Sequence, residues 1–146
     1  CLLFVVLCAF TTFAQKDAAL REKNIKKAED LYERADYLKA YNLYLEILKY
    51  DTTHPEFNFR AGHCLFFINK TDTACVKFFT HSKDSVPESH YFLGKVYLFN
   101  GQPRRALDAF YHFKTHNEGA MITNKDVMSC IDACEAALNE EANKHC

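Results

Sequence analysis

Four sets of residues recur along this chain in one phase, and that recurrence limits the possible folds more than any other feature. Ala28, Gly62 and Gly94 are separated by 34 and then 32 residues. The same two intervals separate Ala40, Ala74 and Ala106, then Tyr44, Phe78 and Phe110, and then Leu31, Leu65 and Tyr97. A period of this size marks one supersecondary unit used three times. A small residue in each of two antiparallel helices lets their axes come close. An aromatic four residues after the second small residue lies on the same helix face and can fill the space toward the neighbouring unit. A hairpin of two short helices cannot bury its apolar stripe alone, so the units must stack.

The turn residues agree with this reading. Asp36-Tyr37, Asn69-Lys70-Thr71-Asp72 and Asn100-Gly101-Gln102-Pro103 divide the three hairpins, with Thr71 or Asp72 able to cap the next helix and Gly101 able to end one. His54-Pro55 and Val86-Pro87 separate the units and place proline at a helix start, where its missing N–H costs little. Helices are predicted near 18–35, 37–50, 55–68, 72–82, 87–99 and 103–116. A last helix is predicted from about 124 to 143, with Thr123 as N-cap and Asp126 closing a capping box. Its stripe of Val127, Cys130, Ile131, Cys134 and Leu138 has helical spacing, while Asp132, Glu135, Glu140 and Glu141 lie on the other side. Such a helix would cover the open end of the third hairpin. The predicted fold is all-α, an α-solenoid of three helix hairpins (about 21–54, 55–86 and 87–119) with a C-terminal capping helix at about 123–143.

Composition supports long helices, with only four Gly and three Pro in 146 residues. A formal net charge of −1 argues against a nucleic-acid surface, which carries a basic excess. Residues 1–14, CLLFVVLCAFTTFA, carry no charge and are too few to span a bilayer. They suit the apolar core of a secretory signal lacking its start, with Thr12 and Ala14 placed for cleavage before Gln15. Leu7 ahead of Cys8 disfavours a lipoprotein signal. The alternative is that residues 2–13 open a buried helix. Beyond that segment stand Cys64, Cys75, Cys130, Cys134 and Cys146, an odd number, so at least one thiol is free or pairs between chains. Their places in apolar helical patterns favour small core residues. A Cys64–Cys75 bridge across one hairpin is the other option.

The segments Ala28-Glu29-Asp30-Leu31-Tyr32, Ala40-Tyr41-Asn42-Leu43-Tyr44, Ala61-Gly62-His63-Cys64-Leu65, Phe92-Leu93-Gly94-Lys95-Val96-Tyr97 and Ala106-Leu107-Asp108-Ala109-Phe110 resemble tetratricopeptide (TPR) repeats over about residues 21–119. The order of signal, three repeats and a final helix is similar to the N-terminal module of Bacteroidetes OmpA-like envelope proteins, some of them parts of type IX secretion machinery. Lys27 departs from the repeat pattern, standing where a large apolar residue is expected. The resemblance implies an exported, periplasmic or outer-membrane-associated scaffold that binds a partner protein or peptide on a concave face. The alternative it implies is a spacer or assembly module of a larger peptidoglycan-associated protein. Contact with a membrane would be indirect.

By phase, the concave lining is expected to include Glu22, Ile25, Glu29 and Tyr32 from the first unit. The second adds Glu56, Phe59, His63 and Phe66, and the third Glu88, Tyr91, Lys95 and Leu98. Phe59, Phe66 and Tyr91 form an aromatic band suited to anchoring a partner, and Glu22, Glu56 and Glu88 an acidic rim. Two alternatives stand beside this: Phe59 and Tyr91 pack between units, and the glutamates complement helix dipoles. Repeats of this family that hold a C-terminal carboxylate use Lys, Asn and Arg on the first helices. Here Lys26 and Arg60 alone do not make that clamp. Metal pairs are sparse: His112 with His116, His81 with His90 and Cys130 with Cys134 lack the spacing of an established motif. No Gly-rich phosphate loop occurs, and successive helix residues such as His63 and Cys64 point apart. No enzyme activity, cofactor or small-molecule substrate is therefore expected.

Overall fold

The computed structural model describes residues 2–116 and 122–144, with side chains from residue 15 onward. The described residues form α1 (Leu2–Glu33), α2 (Tyr37–Leu48), α3 (Pro55–Ile68), α4 (Ala74–Ser82), α5 (Glu88–Phe99), α6 (Pro103–His116) and α7 (Asn124–Lys144). The protein is all-α, and no strand occurs among these residues. Helix boundaries follow local chemistry. Pro55 and Pro103 open α3 and α6, where a missing N–H breaks no helical bond. His54 Nδ1 accepts from the Phe57 N–H at the start of α3 (3.4 Å). The Thr123 hydroxyl oxygen accepts from the Asp126 N–H (3.2 Å) and itself donates to the Asp126 carboxylate (2.6 Å), fixing the start of α7.

Two of the hairpin turns are built alike. At Gly101, with φ of 65°, the Gln102 N–H reaches back to the Tyr97 carbonyl (2.9 Å) and the Gly101 N–H to that of Leu98 (3.1 Å). At Ala35, with φ of 59°, Asp36 and Ala35 make the matching bonds to Leu31 (2.9 Å) and Tyr32 (3.0 Å). Both are left-handed helix ends that satisfy the last carbonyls. The middle turn is longer. It is held by Asn69 and Asp72, whose side-chain oxygens accept from the Thr71 and Ala74 N–H groups (3.2 and 2.9 Å).

Each helix packs against its neighbours in the chain. Past those, α3 touches α5 and α5 touches α7. The buried side chains accordingly form three clusters in chain order. The first centres on Ala28, Ala40, Tyr44 and Cys64, the second on Cys75, Phe79, Leu93 and Val96, and the third on Ala106, Phe110, Phe113, Val127 and Ile131. Tyr41 and Phe78 join the first to the second, and Tyr97 joins the second to the third. Burying rings such as Phe79 and Phe110 stabilises each junction by about 1.5–3 kcal/mol per side chain. The small residues sit at the closest approaches. A Cβ on Gly62 would lie 3.0 Å from Phe78 Cβ and Phe79 Cε1, and one on Gly94 would lie 2.6 Å from Phe110 Cε1.

Several expectations are corrected. The first helix starts at Leu2, because nothing from there to Glu33 breaks a helix. Cys1 and the side chains of residues 2–14, on which the signal reading rests, lie outside the described residues, as do residues 117–119 of the third repeat and Cys146. In α4 the buried pair is Cys75 and Phe79, while Ala74 is exposed and Phe78 half-buried. The longer middle turn moves the helix one residue out of the 34/32 phase. Cys64 and Cys75 are both free and lie in different clusters, so no bridge joins them.

Candidate interaction surface

The first helices of the hairpins, α1, α3 and α5, carry the residues expected to line a binding face. Their aromatic side chains meet around His63. The Tyr32 hydroxyl and His63 Nδ1 share a hydrogen bond of 2.8 Å, which ties α1 to α3. His63 also lies 4.7 Å from Phe92, 4.8 Å from Phe67 and 5.6 Å from Phe59, ring centre to ring centre. Burial first, and the Arg60 guanidinium second, push the His63 imidazole down to about 4, so it is neutral at ordinary pH. Arg60 lies over the Tyr32 ring (4.5 Å) and pairs with Glu56 (2.7 Å). Burial also raises the Tyr32 hydroxyl well above its ordinary value.

A continuous line of rings runs from this centre toward the C-terminal ends of α3 and α5. Tyr37 stacks on Phe67 (4.9 Å), Phe67 meets Phe66 (5.7 Å), and Phe66 meets Phe99 (6.1 Å). Phe67 and Phe99 are each 46% exposed, and Ile68 is also exposed. Two ammonium groups flank Phe99, Lys70 at 5.8 Å and Lys95 at 5.7 Å from the ring centre. The result is an apolar strip with a basic edge.

The expected lining residues divide among several settings. Tyr32, His63 and Phe59 come together in the aromatic centre, and Lys95 lies at the basic edge. Phe66 is only 3% exposed and offers a partner almost no surface, which corrects its place in an open aromatic band. Its ring is turned inward between α3 and α5, on Phe92. Phe59 is half-buried between α3, α4 and α5, against Phe79 and Phe92, and Tyr91 is half-buried within its own hairpin, against Phe110 and Phe113. Leu98 packs on the third cluster, and Ile25 on the first, beside a cleft it shares with Arg21, Tyr50 and His54. The glutamates do not form a common rim of free carboxylates: Glu22 pairs with Lys26 (2.8 Å) and Glu56 with Arg60. Glu56 and Glu88 stand in the first turns of α3 and α5, as the dipole reading requires, but Glu22 lies far inside α1. Glu29 is exposed.

Phe67 and Phe99 were not among the expected residues, although they are 32 residues apart and so repeat with the same period as the small residues. Tyr37, at the start of α2, belongs to a second helix and does not share the phase of the first-helix residues. The thiols offer little chemistry. Burial pushes Cys64 and Cys75 up to about 12 and Cys134 to about 11, opposite to what a nucleophile needs. Among the described residues, no three His, Cys, Asp or Glu side chains gather as metal ligands, and no helix is long and apolar enough to cross a membrane. No protein-family model and no curated protein matches the chain.

Proposed function

We propose that this protein is an interaction scaffold: a TPR-type α-solenoid that holds a segment of another protein across the face formed by α1, α3 and α5. The observation that carries the reading is the exposed pair Phe67 and Phe99, continuous through Tyr37 and Phe66 and edged by Lys70 and Lys95. Rings exposed at the surface but fixed by neighbouring rings lose little freedom on binding, which suits them to anchor a partner. The basic edge favours a segment that carries aromatic or aliphatic anchors beside carboxylates. The solenoid reading is supported by the neighbour-to-neighbour helix contacts, the two equivalent turns and the chain-ordered core clusters. Export to the cell envelope belongs to the same proposal and rests on the uncharged residues 1–14.

The test is capture of a partner from envelope extract by the wild type, by Phe67→Ala/Phe99→Ala, and by Lys77→Ala as a control on α4. The double variant should lose the specific partner with little change in melting temperature, and the control should keep it. Equal capture by all three proteins would refute docking on this face.

A further inference from the structure

A second feature lies away from the aromatic strip, between the α4–α5 turn, α5 and α6. His90, His112 and His116 form a column there. The rings of His90 and His112 stack 3.8 Å apart at 18°, and those of His112 and His116 stack 4.4 Å apart at 19°. A cavity of about 300 Å³ opens beside the first pair, lined by Lys83, His90, Tyr97, Arg105, Asp108 and His112 among others. Arg105 is already held in place. Its Nη1 donates to Gln102 Oε1 (3.0 Å), its Nη2 donates to the Tyr97 hydroxyl (3.1 Å), and its guanidinium lies 4.2 Å from the centre of the Tyr97 ring. A guanidinium has further N–H donors to offer an incoming anion.

The charges around the cleft balance while the imidazoles are neutral. Lys83 and Arg105 are offset by Asp108 on α6 and by Asp84 in the α4–α5 turn. Burial, then His112 and Lys83, push His90 down to about 4, with Asp84 opposing and His116 adding to the fall. A proton on the stack therefore places positive charge beside two fixed cations. An added anion offsets that charge without moving the helices.

We propose that this cleft is an acid-gated oxyanion site, in which a sulfate or phosphoryl group sits between Arg105 and Lys83 as His90, stacked on His112, takes up a proton. Neutral imidazoles leave the cleft without net attraction. Proton uptake and anion binding each favour the other, as linkage requires. The site is independent of any chain docked on the α1–α3–α5 face.

Calorimetric titration with sodium sulfate tests this on a chain lacking any added histidine tag. Sulfate stays divalent across the range, so any pH dependence belongs to the protein. Affinity is expected to rise about tenfold or more between about pH 7.5 and about pH 5.5, with His90 and His112 ring resonances shifting on binding. Arg105→Gln should weaken binding about tenfold with the helical circular dichroism unchanged. His90→Gln should leave weak binding with a flat pH profile. Equal affinity at both pH values, no saturable binding, or full binding by folded Arg105→Gln would overturn the proposal. Comparing phosphate with phenyl phosphate separates the sources of the group. Equal affinity assigns a phosphoryl group carried on a larger molecule, while preference for phosphate assigns a free ion; either result upholds the site.

Discussion

Gly94 faces Phe110 so closely that a Cβ at position 94 would lie 2.6 Å from Phe110 Cε1 and 2.7 Å from its Cζ. The ring fills the space that a side chain would take, and α5 and α6 approach each other on that contact. Gly62 meets Phe78 and Phe79 in the preceding hairpin in the same manner, though less tightly.

Gly94→Ala should therefore cost about 1–3 kcal/mol by overpacking, and Gly94→Leu more. Phe110→Leu removes ring atoms from the same space and should recover part of the Gly94→Ala loss, giving a coupling of about 1 kcal/mol in a double-mutant cycle by urea denaturation. Additive effects would mean that the two residues do not share the contact.

Ala35 and Gly101 occupy equivalent turns, but only one of them is free of a Cβ at positive φ. Ala35→Gly should stabilise the protein by about 0.5–1 kcal/mol, and Gly101→Ala should destabilise it by a similar amount, since an added Cβ meets nothing else nearby. Thermal melts of the two variants moving in the same direction would contradict this assignment.

His63 links the fold to pH. Its folded value, about 4, lies below the ordinary 6.5, so the folded state prefers the neutral ring. The stability this preference lends is present above about pH 6.5 and is lost as pH falls toward about 4, amounting to about 3 kcal/mol. His63→Phe should flatten stability over that window, and at neutral pH it should cost about 1 kcal/mol because the Tyr32 hydroxyl loses its partner. An unchanged slope in urea midpoints against pH would exclude His63 as the source.

Tyr44 is fully buried, yet its hydroxyl has no hydrogen-bond partner among the described residues. Its ring packs on Tyr32 and Phe57, and that packing needs no oxygen. Tyr44→Phe should be neutral or up to about 1 kcal/mol stabilising. A loss of more than about 1 kcal/mol on chemical denaturation would reveal a bond that this geometry lacks.

Much of the fold was legible because close approach leaves a compositional trace: no Cβ fits at Gly94 opposite Phe110, Ala28 and Ala40 are fully buried in one cluster with Tyr44, and such small residues recur in phase. The phase failed at α4 because turn length is not written in apolar periodicity. Asn69 and Asp72 stabilise a longer turn, and Cys75 with Phe79 replaces Ala74 with Phe78 at the contact. The candidate surface was harder to read. Phe66 and Phe67 are adjacent aromatics on α3, and a rotation of about 100° between them decides which one is buried. Which of the two faces inward depends on contact with Phe92 on another helix, a long-range fact. The pairing of Glu22 with Lys26 and of Glu56 with Arg60 is written in their four-residue spacing on a helix, and that spacing already argued against a rim of free acids.

The division of the interior into three chain-ordered clusters, each joined to the next by a few rings such as Tyr41, Phe78 and Tyr97, has a mechanical consequence. No single nucleus is shared by all the helices, so opening can begin at either end and advance hairpin by hairpin. Amide exchange should then slow from the outer helices toward α3 and α5. A pull along the row of helices would be met by gradual flexing, as in a spring, and not by abrupt rupture.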